Sequence, residues 1–229
     1  MMIINYTNTI ADAELAGKIR HSFDILEQCL TKYTPEQIAV AFNGGKDCTL
    51  VLHQYSLVLN QIYSHRNEKP VLQALFIQNK PQFDSVLEFI DQCVEFYKLN
   101  LIKFNNRIKD ALFELKTTHP NIQCIIMGTR LTDPYSSSLQ DFSLTDPTWP
   151  EYMRCNPILT YSYKDIWTVL REFKVPYCQM YDQGFTSLGD KEKTIPNRKL
   201  QYQNNDTGSI EYKPAYELDD ELSEREGRD

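Results

Sequence analysis

Asn43, Gly44, Gly45, Lys46 and Asp47 stand together in a run whose residue types suit phosphate chemistry. Two adjacent residues without Cβ let backbone amides approach a ligand closely. An apolar run, Ile38-Ala39-Val40-Ala41-Phe42, precedes them and has the length of a buried strand. Leu50, Val51, Tyr55, Val58 and Ile62 follow at helical spacing. Strand, glycine turn and helix form an anion site, because the helix start offers unpaired N–H groups and the positive end of its dipole. Lys46 adds a cation, and Asp47 is a small carboxylate that can cap the helix or hold Mg²⁺. The spacing is neither that of a Walker loop nor that of a dinucleotide fingerprint.

A second set lies between residues 128 and 154, where Gly128, Thr129 and Arg130 end a strand candidate. Asp133-Pro134 and Asp146-Pro147 follow, and a residue before proline is biased away from helix. The stretch reads as one long irregular loop, of the kind that is functional or disordered. Tyr135, Phe142, Trp149 and Tyr152 argue for order, since aromatic side chains gain from burial. Trp149 between two prolines either stacks a planar ring or anchors the loop to the core. The six cysteines and four histidines are scattered, without metal-ligand spacing, and read as ordinary packing residues.

The elements that must position these residues alternate. Residues 11–32 form an amphipathic helix with Leu15, Ile19, Phe23, Leu26 and Leu30 on one face. The phosphate-loop helix runs to about Tyr63, and 64–70 is a polar loop. Strands are expected over 71–77, 99–104 and 122–127, with helices over 83–97 and 108–118 between them. Residues 156–161 read as a short strand, and 162–173 as a helix with Ser162 and Asp165 as a capping box. Residues 177–189 read as a loop, 196–200 as a local basic spot, and 214–229 as a charged, solvated tail. Strands separated by helices predict an α/β fold: a Rossmann-like, mainly parallel sheet with helices on both faces. In such sheets ligands sit beyond the carboxyl ends of the strands at the switch point. Gly44-Gly45 and Gly128-Thr129-Arg130 should therefore face one crevice.

The chain has 229 residues, 41% of them hydrophobic, enough for a packed core. Its charge, 24 − 31 = −7, runs against the basic stripe of a nucleic-acid binder. No apolar run is long enough to span a membrane, and Met1-Met2-Ile3-Ile4-Asn5-Tyr6 has no signal-peptide pattern. The expectation is a cytoplasmic monomer with small-molecule partners, no nucleic acid and no membrane.

Five segments, FNGGKD, MGTRLTDP, DFSLTDPTWP, YDQGFTSLG and PAYELDDELSEREGR, occur in one order. Together they resemble the eukaryotic, fungal-type FAD synthases, or FMN adenylyltransferases, of the phosphoadenosine phosphosulfate reductase-like fold. The resemblance covers residues 38–228. It implies a catalytic domain over 1–200 and a C-terminal extension over 201–229 that carries phosphate-contacting arginines. The implied reaction takes ATP and FMN to FAD and pyrophosphate with Mg²⁺. Phe42, Asn43, Gly44, Gly45, Lys46, Asp47, Ile77, Gly128 and Arg130 would bind ATP, with Asn43 and Asp47 at the metal. Asp133, Asp146, Pro147, Trp149, Pro150, Arg154 and Arg228 would hold the flavin nucleotide. Asn43, Asp47, Asp133, Arg225 and Arg228 would carry the catalysis. Arg198 departs from the pattern, standing where a second proline is expected.

The chemistry agrees with this residue set. FMN phosphate is already an anion, so attack on the α-phosphorus needs charge neutralisation and alignment rather than a strong base. Arginine forks suit two phosphate oxygens at once. A sulfonucleotide reductase of the same fold is the alternative, but it needs a cysteine nucleophile in the C-terminal tail, and the last cysteine here is Cys178. Asp190 also stands where a Gly-Cys is expected. Another ATP pyrophosphatase, acting on RNA, would want a basic surface and a zinc ribbon. A non-catalytic nucleotide-binding module would have no need of Asp47 and both tail arginines.

Overall fold

A computed structural model describes residues 9–67 and 69–228. The expectations for Met1–Tyr6, for Glu68 within the polar loop and for Asp229 lie outside the described residues. The order is α1 (Ala13–Lys32), β1 (Ile38–Ala41), α2 (Lys46–Ile62), β2 (Gln73–Ile77), α3 (Asp84–Tyr97), β3 (Asn100–Phe104), α4 (Ile108–Thr118) and β4 (Cys124–Ile126). There follow β5 (Phe142–Leu144), β6 (Met153–Cys155), α5 (Tyr163–Glu172), β7 (Gln201–Gln203) and β8 (Ile210–Tyr212). Six strands form one sheet in the order β3-β2-β1-β4-β6-β5, and β7 and β8 form a separate hairpin. All pairings in the large sheet are parallel except that of β5 with β6.

Side-chain alternation along the strands builds two cores. Ile38 and Val40, Ala74 and Phe76, and Cys124 and Ile126 face the larger one, packed under α1, α2, α3 and α5. Ala39, Leu75 and Ile125 point the other way, onto Ala111, Leu112 and Leu115 of α4. With both faces covered, these strands read as continuous apolar runs. Helix ends are fixed by local chemistry. Asp12 accepts from the Glu14 and Leu15 amides at 2.9 and 3.2 Å. Ser162 and Asp165 form the expected capping box, at 3.1 and 2.8 Å.

Three expectations need correction. Residues 128–154 are not wholly irregular, because β5 and β6 pair antiparallel there and extend the sheet. Residues 156–161 are not a strand; they turn, with the Tyr161 amide donating to Ile158 O at 3.1 Å. The tail is not merely solvated: Ser223 is 2% and Glu224 8% exposed. Arg198 itself is exposed, in a short 3₁₀ turn (Arg198–Leu200). The buried Asn197 beside it bridges Thr186 Oγ1 and Ser223 O, at 3.0 and 2.7 Å.

His53, on α2, lies 3.0 Å from Tyr97 Oη through Nδ1, and burial pulls its imidazole from 6.5 down to about 4. The unfolded chain binds this proton at the higher pH. Stability is therefore lost as pH falls from 6.5 to about 4, by up to about 1.4 kcal/mol per pH unit from this group. Urea midpoints measured across that window should fall in the wild type and flatten in His53→Gln.

Candidate active site

Strand order alone brings the chemistry together. The chain leaves β1 toward β2 on one side and meets β4 on the other, so the switch point lies between β1 and β4. The loop after β1 and the loop after β4 leave the sheet at the same end. Gly44 turns the first with φ +77, in the left-handed region. At Gly128 a Cβ would sit 2.6 Å from Cys48 N and 2.8 Å from Asp47 C, both backbone atoms. Only a glycine lets the second loop rest on the first turn of α2.

A cavity of about 470 Å³ opens at this end. Its walls include Phe42, Asn43, Gly45, Lys46 and Asp47 from the first loop, and Gly128, Asp133, Asp146, Trp149 and Arg154 from the segment after β4. Ile77 borders it from the end of β2, and Arg225 and Arg228 from the tail. The structure thus gathers most of the expected residues on one cavity. Gly44, Arg130, Pro147 and Pro150 do not line it. Gly44 shapes its loop from behind, where a Cβ would lie 3.1 Å from Val86 Cγ1. Pro150 is buried, and its carbonyl accepts from Thr145 Oγ1 at 2.7 Å, which closes the turn that carries Trp149.

Arg130 serves as a hub. It is 2% exposed, and its guanidinium meets Asp47 Oδ1 at 3.0 Å and Glu224 Oε2 at 2.5 Å. Lys46 Nζ meets the other oxygens of the same two carboxylates, at 3.1 Å for Asp47 and 2.5 Å for Glu224. The four groups close a ring of alternating charge. Burial opposes the Asp47 charge, but Lys46 and Arg130 hold its carboxyl below the usual carboxylate range. Burial likewise works against the Arg130 charge, and the surrounding carboxylates hold its pKa above the usual guanidinium value. The contact between Asp47 Oδ1 and Arg130 Nε is ionic only, since neither atom makes a hydrogen bond.

The remaining polar groups tie the three walls to one another. Asp133 accepts from the Arg130 amide at 2.8 Å and from Arg225 Nη2 at 2.9 Å, so it joins the second loop to the tail. Arg228 donates to Ser187 Oγ at 3.0 Å and lies against Gly189, where a Cβ would come within 2.6 Å of its Nη2. Asn43 Oδ1 accepts from the Gly45 amide at 3.0 Å and from Cys48 Sγ at 3.1 Å, which stiffens the phosphate loop from within. Burial pushes the Cys48 thiol up to about 12, so it is neutral near pH 7. Arg154 donates to Leu144 O at 2.5 Å, while its buried Nε finds no partner. Among the described residues no group of three or more His, Cys, Asp or Glu is arranged to hold a metal.

Sequence reading missed two residues here. Glu224 sits in a charged run with no local mark of burial. Tyr181 opens the YDQGFTSLG segment, which the sequence placed in a loop and gave no role of its own, yet it is 1% exposed and its hydroxyl accepts the Lys46 amide at 2.8 Å, at the very start of α2.

Comparison with known proteins bears on the same region. The phosphoadenosine phosphosulfate reductase domain matches residues 37–196. A probable FAD synthase of Schizosaccharomyces pombe is 34% identical over 228 residues, covering 97% of this chain and 84% of its own length. One of Caenorhabditis elegans is 38% identical over 213 residues, and there the chain spans 93% of itself but only 40% of the nematode protein. Candida glabrata FMN adenylyltransferase, crystallised with FAD and inorganic pyrophosphate, superposes with a TM-score of 0.91 at 25% identity over 99% of this chain and 93% of that one. With the family domain spanning the large sheet and the fungal relative matched almost end to end, the chain belongs to the phosphoadenosine phosphosulfate reductase domain family, and within it to the FAD synthases.

Proposed function

We propose that this chain transfers the adenylyl group of ATP to FMN. An FMN phosphate oxygen bonds to the α-phosphorus, the bond from the α-phosphorus to the bridging oxygen breaks, and pyrophosphate leaves with that oxygen. One observation carries the reading: the glycine loop, the Asp146–Trp149 turn and the tail arginines all border one cavity. Two anionic ligands entering from different walls would meet there. The FAD synthase relatives and the flavin-bound fungal structure support the same assignment.

In this reading Phe42, Asn43, Gly44, Gly45, Lys46 and Asp47 form the ATP phosphate and nucleotide wall. Ile77 and Gly128 flank the adenine, and Arg130 acts from behind through Asp47. Trp149 presents its flat face to the flavin ring, in a turn shaped by Pro147 and Pro150. Asp146 and Arg154 mark the ring edge, and Asp133 and Arg228 reach the FMN phosphate side. A magnesium ion would be held by Asp47, whose Oδ1 is a hard oxygen without a hydrogen bond that now faces Arg130 Nε at 3.0 Å and would have to share it. Asn43 would join it only by releasing a bond within its loop. When bound, the ion neutralises phosphate charge. Arg225 and Arg228 add charge where it develops in the transition state. The six cysteines are free thiols, which fits a reducing compartment, and we place the enzyme in the cytoplasm as a monomer whose cavity is complete within one chain.

Incubation of the purified chain with ATP, Mg²⁺ and either FMN or a sulfonucleotide, read by chromatography, tests the reading. FAD and pyrophosphate in equal amounts are expected. Turnover of the sulfonucleotide alone would overturn it. Arg228→Ala should lower kcat by about 100-fold, while the Kd for FMN stays within about threefold. Equal losses in both would show that the tail only holds the flavin.

A further inference from the structure

Lys46 lines the cavity and Arg130 stands behind Glu224, which also lines it, yet neither cation is free to receive an anion from outside. Lys46 is 1% and Arg130 2% exposed; Lys46 already holds two carboxylates, and Arg130 holds the same two with Asp133 3.9 Å away. The ring they form with Asp47 and Glu224 sums to zero charge. Glu224 borders the cavity, with one oxygen 2.5 Å from Lys46 Nζ and the other 2.5 Å from Arg130 Nη2. A carboxylate in that place works against any phosphate entering the cavity, since like charges side by side raise the cost of binding.

Anchoring the tail does not require this carboxylate. The backbone around it is held independently: Thr186 Oγ1 donates to Glu224 O and Asn197 Nδ2 to Ser223 O, each at 2.7 Å. Arg225 and Arg228 reach Asp133 and Ser187 on their own, at 2.9 and 3.0 Å. What the Glu224 side chain adds is a counter-charge for two cations that would be costly to bury unpaired. A ligand phosphate can take over that task, and then both cations exchange one anion for another.

We infer that Glu224 is a built-in anion: it occupies Lys46 and Arg130 while the cavity is empty, yields them to ligand phosphate, and reclaims them as pyrophosphate departs. It is a positioning residue, acting through two cations rather than on the reacting atoms. The exchange speeds release of a product that would otherwise be held by two buried cations. This inference rests on the adenylyl-transfer reading and extends it to product release.

Calorimetric titration of the full chain with inorganic pyrophosphate, beside steady-state kinetics, tests it. Glu224→Gln should bind pyrophosphate about tenfold more tightly. Its kcat should fall, while KM for ATP stays level or drops. A purely structural role moves these the other way, with weaker pyrophosphate binding and a higher KM. Unchanged or weaker binding in a variant whose circular dichroism is that of the wild type overturns the inference. Should Glu224→Gln fail to fold, Glu224→Asp decides, because it keeps the charge but is too short to span both cations. Tighter pyrophosphate binding in that variant supports the exchange, and equal or weaker binding overturns it. A wild-type chain that binds neither ATP nor pyrophosphate would instead bring down the adenylyl-transfer reading, and this inference with it.

Discussion

Asp47→Ala is expected to lower FAD formation by about a thousandfold or more, because under the proposed reading a magnesium ion would lose its protein anchor, and the charge ring loses a corner. The second effect is structural. Lys46, nearly fully buried, would be left with Glu224 alone, and Arg130 with Glu224 and the more distant Asp133, 3.9 Å away. Breaking a buried ion pair by deleting one partner costs about 3 kcal/mol or more. The variant should therefore unfold at lower urea as well as lose turnover. Asp47→Asn keeps the shape and drops only the charge, so matching losses of turnover and stability there would trace both effects to charge rather than to packing. Steady-state FAD formation and urea unfolding on both variants make the comparison, and normal turnover in Asp47→Ala would remove this residue from the catalytic machinery.

Gly128→Ala should damage the site from further away. The added methyl would meet Cys48 N, Asp47 C and Cys48 Cα at 2.6 to 2.8 Å, and these are backbone atoms of the helix start rather than the tips of flexible side chains. Relief requires the second loop to lift off α2. The expected cost is about 3 kcal/mol of stability. A phosphate loop displaced by even a fraction of an ångström should bind an ATP analogue about 100-fold less tightly. Gly208→Ala serves as the control, because nothing lies within 4 Å of its Cβ position. It should cost only about 1 kcal/mol, for the left-handed φ, and leave nucleotide binding alone. Equal binding in the two variants would show that the contact between the loops is not what shapes the site.

The central sheet was legible because its strands are short apolar runs punctuated by turn chemistry. β3 and α4 were placed to within a residue, and α2 began where the glycine pair said it must. Alternation implied that Gly44-Gly45 and Gly128-Thr129-Arg130 end strands facing one crevice, and the strand order places Gly45 and Gly128 on one cavity. β5 and β6 were hidden because three residues each, both mixing polar and apolar types, are too short to show a period. The β7–β8 hairpin was missed for the same reason; its strands QYQ and IEY are largely exposed. Residues 156–161 misled because burial, not extension, made them apolar: Ile158 and Leu159 are core residues in a turn. Glu224 lay within the tail segment that carried the resemblance, but no role could be assigned to its side chain. A glutamate among glutamates acquires its role only when the tail folds back 178 positions to reach Lys46. Long-range electrostatics of this kind leave no local trace in a single chain.

The two tryptophans occupy contrasting surroundings. Trp149 is half-buried in the cavity wall, with Lys109 Nζ 5.8 Å from its ring centroid. Trp167 is 3% exposed and meets Tyr177, Tyr181 and Tyr216 edge-on, with centroids 5.2, 5.1 and 5.9 Å away. One indole thus lines the cavity, and the other faces the joint where helix α5, Tyr181 bonded to the Lys46 amide, and the tail come together. The molecule therefore carries two indoles of separate surroundings: under the adenylyl-transfer reading, flavin titration is expected to quench the first, and detachment of the tail is expected to red-shift the second.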